Sequence, residues 1–139
     1  MVGDVAGGTG LLSYYLAQEG YNTTVIDPRH TDLPRPERVK AQHQQLPIQR
    51  QVSRISGKDY DRFDLLVGLH PDGATRGLAW AARKLPVVIV PCCLLGWQGQ
   101  GRNRVEDRIR SIWSSLRVRW EETQLQFRGK NLLLVARAR

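Results

Sequence analysis

The sequence predicts an α/β fold: a mostly parallel sheet with helices on both faces and one antiparallel hairpin strand at the C-terminal end. Three observations predict it. Short β-branched runs alternate with stretches of helical apolar spacing along the chain, the pattern of strand–helix–strand crossovers. A glycine turn, Ala6-Gly7-Gly8-Thr9-Gly10, stands between the first strand-like run and the first helix-like one. The chain closes with two strand-like runs joined by Arg128-Gly129-Lys130-Asn131, residues that suit a tight turn. A length of 139 residues with 41% apolar content buries one core but not two, so a single domain over 1–139 is expected.

The elements follow in order. Met1 to Ala6 is a short apolar strand. Leu11 to Glu19 carries Leu11, Leu12, Tyr15 and Leu16 at helical spacing and meets a glycine stop at Gly20. Asn22 to Asp27 is a second strand, and Pro28, Pro34 and Pro36 interrupt what comes next. A polar helix is expected from Glu37 to about Gln45, a weak strand from Ile48 to Ile55, and a polar turn from Gly57 to Arg62. Phe63 to Leu69 is a buried strand. Ala74 to Lys84 is a helix with Leu78, Ala81, Ala82 and Leu85 on one side. Pro86 to Pro91 is the most strand-like run, and Gly96 to Gly101 is a loop. Val105 to Leu116 is an amphipathic helix with Ile109, Ile112, Trp113 and Leu116 on one face, and Val118 to Phe127 with Leu132 to Ala136 form the hairpin. Trp113 and Trp120 lie on apolar stripes and are expected in the core.

Composition narrows the setting. No apolar run reaches the roughly 20 residues of a membrane span, and no basic, apolar leader opens the sequence, so a cytoplasmic protein is expected. Cys92 and Cys93 are adjacent. Neighbouring cysteines close a strained ring, and two thiols alone make no zinc site. Reduced thiols and no metal are expected. The net charge of +8 is uneven: Arg29 to Lys58 holds seven Lys/Arg against two acids, and Arg102 to Arg139 ten against four. Such segments attract polyanions, RNA among them, or simply solvate helix faces. Sheet faces left bare are expected to take a protein partner or a second copy.

The glycine turn has the context of a nucleotide-cofactor site. Glycines let the backbone approach a ligand, and a helix N-terminus offers free N–H groups. Asp27 ends the second strand seventeen residues after Gly10, where a carboxylate can accept both ribose hydroxyls of an adenosine. The plainer alternative is a turn that only packs helix on strand, with Asp27 capping the next segment. A dinucleotide site wants G-x-G-x-x-G, and Gly8-Thr9-Gly10-Leu11-Leu12-Ser13 meets it only with serine at the end.

The run DVAGGTGLLSYYLA resembles motif I of class I S-adenosylmethionine-dependent methyltransferases, D/E-x-G-x-G-x-G. Asp4 takes the acid position, and Gly8 and Gly10 the later glycines. Ala6 stands where the first glycine sits, and there it must keep φ negative or carry strain. The resemblance implies a Rossmann-like three-layer sandwich whose antiparallel strand lies beside the fifth. It implies S-adenosylmethionine as cofactor, with Asp4 near the methionine amino group, the backbone of Ala6, Gly7, Gly8, Thr9 and Gly10 along the methionine part, and Asp27 on the ribose. Gly68 is assigned to the same cofactor edge.

A second constellation follows two buried strands: His70-Pro71-Asp72-Gly73-Ala74-Thr75 and Pro91-Cys92-Cys93. Carboxyl ends of strands form the ligand crevice of an open α/β sheet, so both motifs flank the position of a transferred methyl. They resemble a branch of class I methyltransferases carrying an H-x-x-D-x-A-T-like motif followed by P-C-C, which includes 2'-O-ribose tRNA methyltransferases. His70 is the candidate base, with a backbone-bonded histidine as the alternative. Asp72 is expected to orient His70 or hold the nucleophile, or to cap the following helix. Thr75, Pro91, Cys92, Trp97 and Arg102 are the candidate substrate contacts, with Trp97 stacking on a base, covering the site as a lid or simply packing, and Arg102 on a phosphate or on a solvated face. A buried, unreactive role suits Cys92 equally.

The leading expectation is a methyltransferase acting on RNA or another anionic substrate. A non-catalytic methyltransferase-like binding subunit is the second, and a NAD-binding oxidoreductase the third.

Overall fold

The computed structural model describes residues 1–92, 104–126, 128–129 and 131–137. Strands and helices alternate: β1 (Val2–Val5), α1 (Leu11–Gln18), β2 (Thr23–Ile26), α2 (Arg35–His43), β3 (Ile48–Gln51), β4 (Leu65–Leu69), α3 (Thr75–Ala81), β5 (Val87–Val90), α4 (Val105–Ser115), β6 (Arg119–Gln124) and β7 (Leu132–Arg137), with single 3-10 turns at Tyr60–Arg62 and Asp72–Ala74. The strands form one sheet in the order β3-β2-β1-β4-β5-β7-β6. Neighbours from β3 to β5 are parallel. β7 runs antiparallel to both β5 and β6, so β6 points with the first five strands and β7 alone is reversed. That is the expected fold.

Register assigns the two faces. Gly3 pairs with Leu66, Val5 with Ile26, Leu66 with Val87, and Val87 with Ala136. This face packs against α3 and α4 in one buried cluster with Leu78, Ile109 and Trp113. The alternate residues point the other way: Asp4 reaches Ser13 of α1, and Thr23 Oγ1 donates to the Ser13 carbonyl. Helices therefore cover both faces, and three layers result. Val105, Ile109 and Trp113 recur every four residues on α4 and are all buried. The Trp113 ring is fully buried, and its Nε1 donates to the Ala79 carbonyl at 2.9 Å, which satisfies the one polar atom of an otherwise apolar group.

Three helices stop in the same way. After α1 the Gly20 amide donates to Ala17 O and the Tyr21 amide to Leu16 O, with Gly20 at φ +91. This is the paired bonding of a left-handed helix stop. α2 ends so at Gln45 (φ +49) and α4 at Arg117 (φ +53). Only the first carries the glycine that announces such a stop in a sequence.

The differences from expectation are local. β3 ends at Gln51, not near Ile55, because its partner β2 ends at Ile26, which pairs with Gln51, and the Ser53 amide turns back onto Gln51 O. β4 starts at Leu65, two residues after Phe63, which sits buried behind the turn at Tyr60–Arg62. α3 stops at Ala81, whose carbonyl accepts from both Lys84 and Leu85 as the chain turns into Pro86. β6 is confined to Arg119–Gln124. No helix among the described residues is long and apolar enough to cross a membrane.

Candidate functional site

Sheet order reverses between β1 and β4, on either side of which the chain runs in opposite directions across the sheet. The carboxyl ends of strands at such a point splay apart and leave a crevice. A cavity of about 540 Å³ lies there, lined by Val5 of β1 and Ala6 after it, Ile26 of β2 with Asp27 and Arg29 after it, Ile55 after β3, and Pro71 to Ala74 after β4. Its size suits a small-molecule ligand.

Of the glycine turn, Ala6 lines this cavity. Ala6 takes φ +56, Gly8 +55 and Gly10 +86. The alanine thus carries the strain that a glycine would not, about 1–2 kcal/mol. A side chain on Gly7 would stand 2.6 Å from the Asp4 carboxyl, and one on Gly10 2.8 Å from Val25. These two glycines admit neighbours from below. A side chain on Gly8 would meet nothing within 4 Å, so its backbone is bare toward solvent. The Gly8 amide donates to Asp27 Oδ2 at 3.0 Å. From the other side, Arg50 of β3 donates Nη1 to Gly8 O at 3.0 Å and Nη2 to Thr9 O at 2.9 Å. Arg50 thus holds the carbonyls of the turn while the Gly8 N–H is bound to Asp27.

Asp27 is fully buried by its neighbours. It also accepts from the Arg29 amide at 2.8 Å and from Arg29 Nε and Nη2 at 3.1 and 3.2 Å. Burial pushes the carboxyl up, but the Arg29 side chain and amide and the Gly8 amide outweigh it and hold the pKa below the ordinary value. Asp27 stays an anion with acceptors aimed at donors.

The remaining expected residues divide. Ala6, Asp27 and Asp72 line the crevice. Asp4 does not. It lies beneath the turn, 1% exposed, and accepts both the amide and the hydroxyl of Ser13 at 3.2 and 2.9 Å. It satisfies an amide of the first turn of α1, and burial pushes its carboxyl up despite those bonds. Thr9 faces away too, its carbonyl held by Arg50, in a groove between α2 and β3. Gly68 is a packing glycine. A side chain there would stand 2.4 Å from Leu78 and 3.0 Å from Pro71.

The corner after β4 is strained at two places, His70 at φ +55 and Asp72 at φ +42. Left-handed backbone at non-glycine residues is uncommon and gathers at functional sites. The His70 amide donates to Val90 O at 2.9 Å, and its half-buried imidazole makes no hydrogen bond to a described residue. The structure records no bond by which Asp72 orients it. The Asp72 carboxylate instead accepts the Cys92 thiol at 3.3 Å. It does not cap α3 either: the Asp72 backbone carbonyl accepts Thr75 Oγ1 at 2.8 Å. Thr75 is fully buried in that contact and offers nothing to a substrate. Cys92 is half-buried. Pro91 borders a separate depression with Arg104, Asp107 and Arg110. Cys93, Trp97 and Arg102 lie outside the described residues. Among the described residues no group of three or more His, Cys, Asp or Glu could hold a metal.

Arg29 and Arg50 are the residues that sequence reasoning missed. Arg29 lies two positions after Asp27, the offset of a local aspartate–amide turn, and could have been found by it. Arg50 meets the turn from 41 and 42 residues away and leaves no local signal.

No family model matches the sequence, and no curated protein matches it. Solved structures do match the fold. WbdD aligns with a TM-score of 0.61 and 14% identity over 98% of this chain and 35% of its own, so the chain spans about a third of that protein's length. The 1,6-didemethyltoxoflavin-N1-methyltransferase of Burkholderia thailandensis aligns with 0.60 and 16% over 99% and 70%. The magnesium protoporphyrin IX methyltransferase of Synechocystis PCC 6803 aligns with 0.59 and 20% over 99% and 74%. The latter two carry bound S-adenosylhomocysteine. At these identities the likeness establishes the fold, which is the Rossmann-like methyltransferase fold. These likenesses give no support to the tRNA 2'-O-ribose branch. The expected branch motif also fits loosely, since one residue separates His70 from Asp72 where H-x-x-D has two.

Proposed function

We propose that the chain is an S-adenosylmethionine-dependent methyltransferase domain. The observation that carries this reading is the bond from the Gly8 amide to Asp27, the buried carboxylate that lines the β1–β4 crevice. A buried carboxylate beside an open glycine backbone fits an adenosine: the ribose hydroxyls donate to Asp27, and Ile26, Pro28 and Ile55 offer apolar surface for the base. When bound, the cofactor supplies an electrophilic methyl group. The chain's own part is to align an acceptor with that group. In this reading Asp72, which lines the crevice at the strained corner, takes a proton from the acceptor, and His70, two residues earlier, is the second candidate base. Asp4 and Arg50 fix the turn from beneath.

RNA or another anionic substrate is the proposed acceptor, on the strength of the two basic segments. The narrower tRNA ribose branch rests on His70, Asp72 and Pro91-Cys92 alone, and tRNA is the first substrate to try. A non-catalytic binding subunit is favoured by one observation, that the imidazole of His70 does not line the crevice. Methyl transfer to bulk RNA by the isolated chain separates the two readings. The cofactor site itself is tested by Asp27→Ala. Calorimetry should show loss of S-adenosylhomocysteine binding, at least tenfold for a charged acceptor removed from two hydroxyls. Unchanged affinity would refute the site.

A further inference from the structure

Asp27 has no acceptor position to spare. An ionised carboxylate offers about four lone-pair sites, and four N–H groups fill them: the Arg29 amide and Nε on Oδ1, the Gly8 amide and Arg29 Nη2 on Oδ2. Ribose hydroxyls that are to donate here must displace a donor. The two amides belong to the backbone of the turn and of the strand end. The guanidinium hangs from a side chain 68% exposed, over an Asp27 side chain that is 0% exposed. Arg29 is the donor that can leave. Its departure frees one lone pair on each oxygen, the number that two vicinal hydroxyls fill.

We propose that Arg29 competes with the cofactor's ribose for Asp27, covering the carboxylate when the crevice is empty and moving toward Asp72 when it is filled. This rests on the reading of the crevice as the cofactor site. Asp72 lines the same crevice, and its field already favours the charge on Arg29. The displaced cation thus exchanges one carboxylate for the field of another. Because the Arg29 side chain lies largely in water, the competition lowers affinity by a small factor, about two- to fivefold.

The test is a calorimetric cycle with S-adenosylhomocysteine on the full chain, its Arg29→Ala and Asp27→Asn variants, and the double variant. Arg29→Ala should bind about threefold tighter, and the same change on the Asp27→Asn background should alter nothing. A salt series gives a second readout that does not depend on the buried variant folding. The ligand is net neutral, so screening of the exposed pair should raise the affinity of the unaltered chain, while Arg29→Ala stays flat. Equal or weaker binding by Arg29→Ala, with no rise with salt in the unaltered chain, overturns the competition while leaving the cofactor site standing. Asp27→Asn binding as well as the unaltered chain overturns the cofactor reading and the competition together.

Discussion

The Gly8 amide meets Asp27 Oδ2 at 3.0 Å, and that contact fastens the turn after the first strand to the end of the second. Arg50 secures the same turn from the opposite side through the Gly8 and Thr9 carbonyls. Arg50→Met keeps the length of the side chain and removes both bonds. We expect a loss of about 2 kcal/mol in stability, as for hydrogen bonds to a charged group, together with several-fold weaker S-adenosylhomocysteine binding. Denaturant melts and calorimetry check the two effects; intact binding would show that the turn holds its shape without the clamp.

Two left-handed positions invite glycine. Ala6→Gly removes strain of about 1–2 kcal/mol and returns part of it as unfolded-chain entropy, for a net gain of about 0.5–1 kcal/mol. Arg117→Gly, at the stop of α4 (φ +53), should gain a similar amount. A fall in urea midpoint for either would contradict the assigned backbone.

Gly68 and Gly57 give a contrast. An alanine at Gly68 would press on Leu78 from 2.4 Å, whereas one at Gly57 meets nothing within 4 Å. Gly68→Ala should cost about 2 kcal/mol, as overpacking does, and Gly57→Ala should cost nothing measurable. Equal midpoints for both would mean that α3 does not sit against β4 as described.

Acid stability follows from Asp27. Its folded pKa lies below 3.8. A carboxyl with a depressed folded pKa contributes stability that is complete above its unfolded pKa and is lost as pH falls through the folded one. Melting temperature should therefore decline below the ordinary carboxyl range, and Asp27→Asn should show a shallower decline between about pH 6 and pH 2. Asp59, also held low, first by the Ser56 hydroxyl, keeps part of the slope in both proteins. An identical slope would refute the depression at Asp27.

Much of this fold was legible because local chemistry and global order agree. Alternating apolar runs marked the strands and helices apart from the polar α2 and the weak β3, Gly20 marked a helix stop, and the closing hairpin supplied the reversed strand. Boundaries slipped where tertiary partners decide them, as at Gln51, where β3 ends because β2 does. The stops at Gln45 and Arg117 were invisible because the residues there are not the ones that prefer left-handed backbone. In the site, Asp27 and the glycines were readable from spacing, since one crossover sets their separation. The inward roles of Asp4, Thr75 and Gly68 were not, because motif position says which residues are near the ligand and not which way each side chain points.

The central claim is that this crevice holds an adenosyl cofactor. Titrating the full chain by calorimetry with S-adenosylhomocysteine and S-adenosylmethionine, with NAD as comparison, tests it most directly. Micromolar binding of the first two and none of NAD is the expected result. No heat with either adenosyl ligand, or tighter binding of NAD, would contradict it.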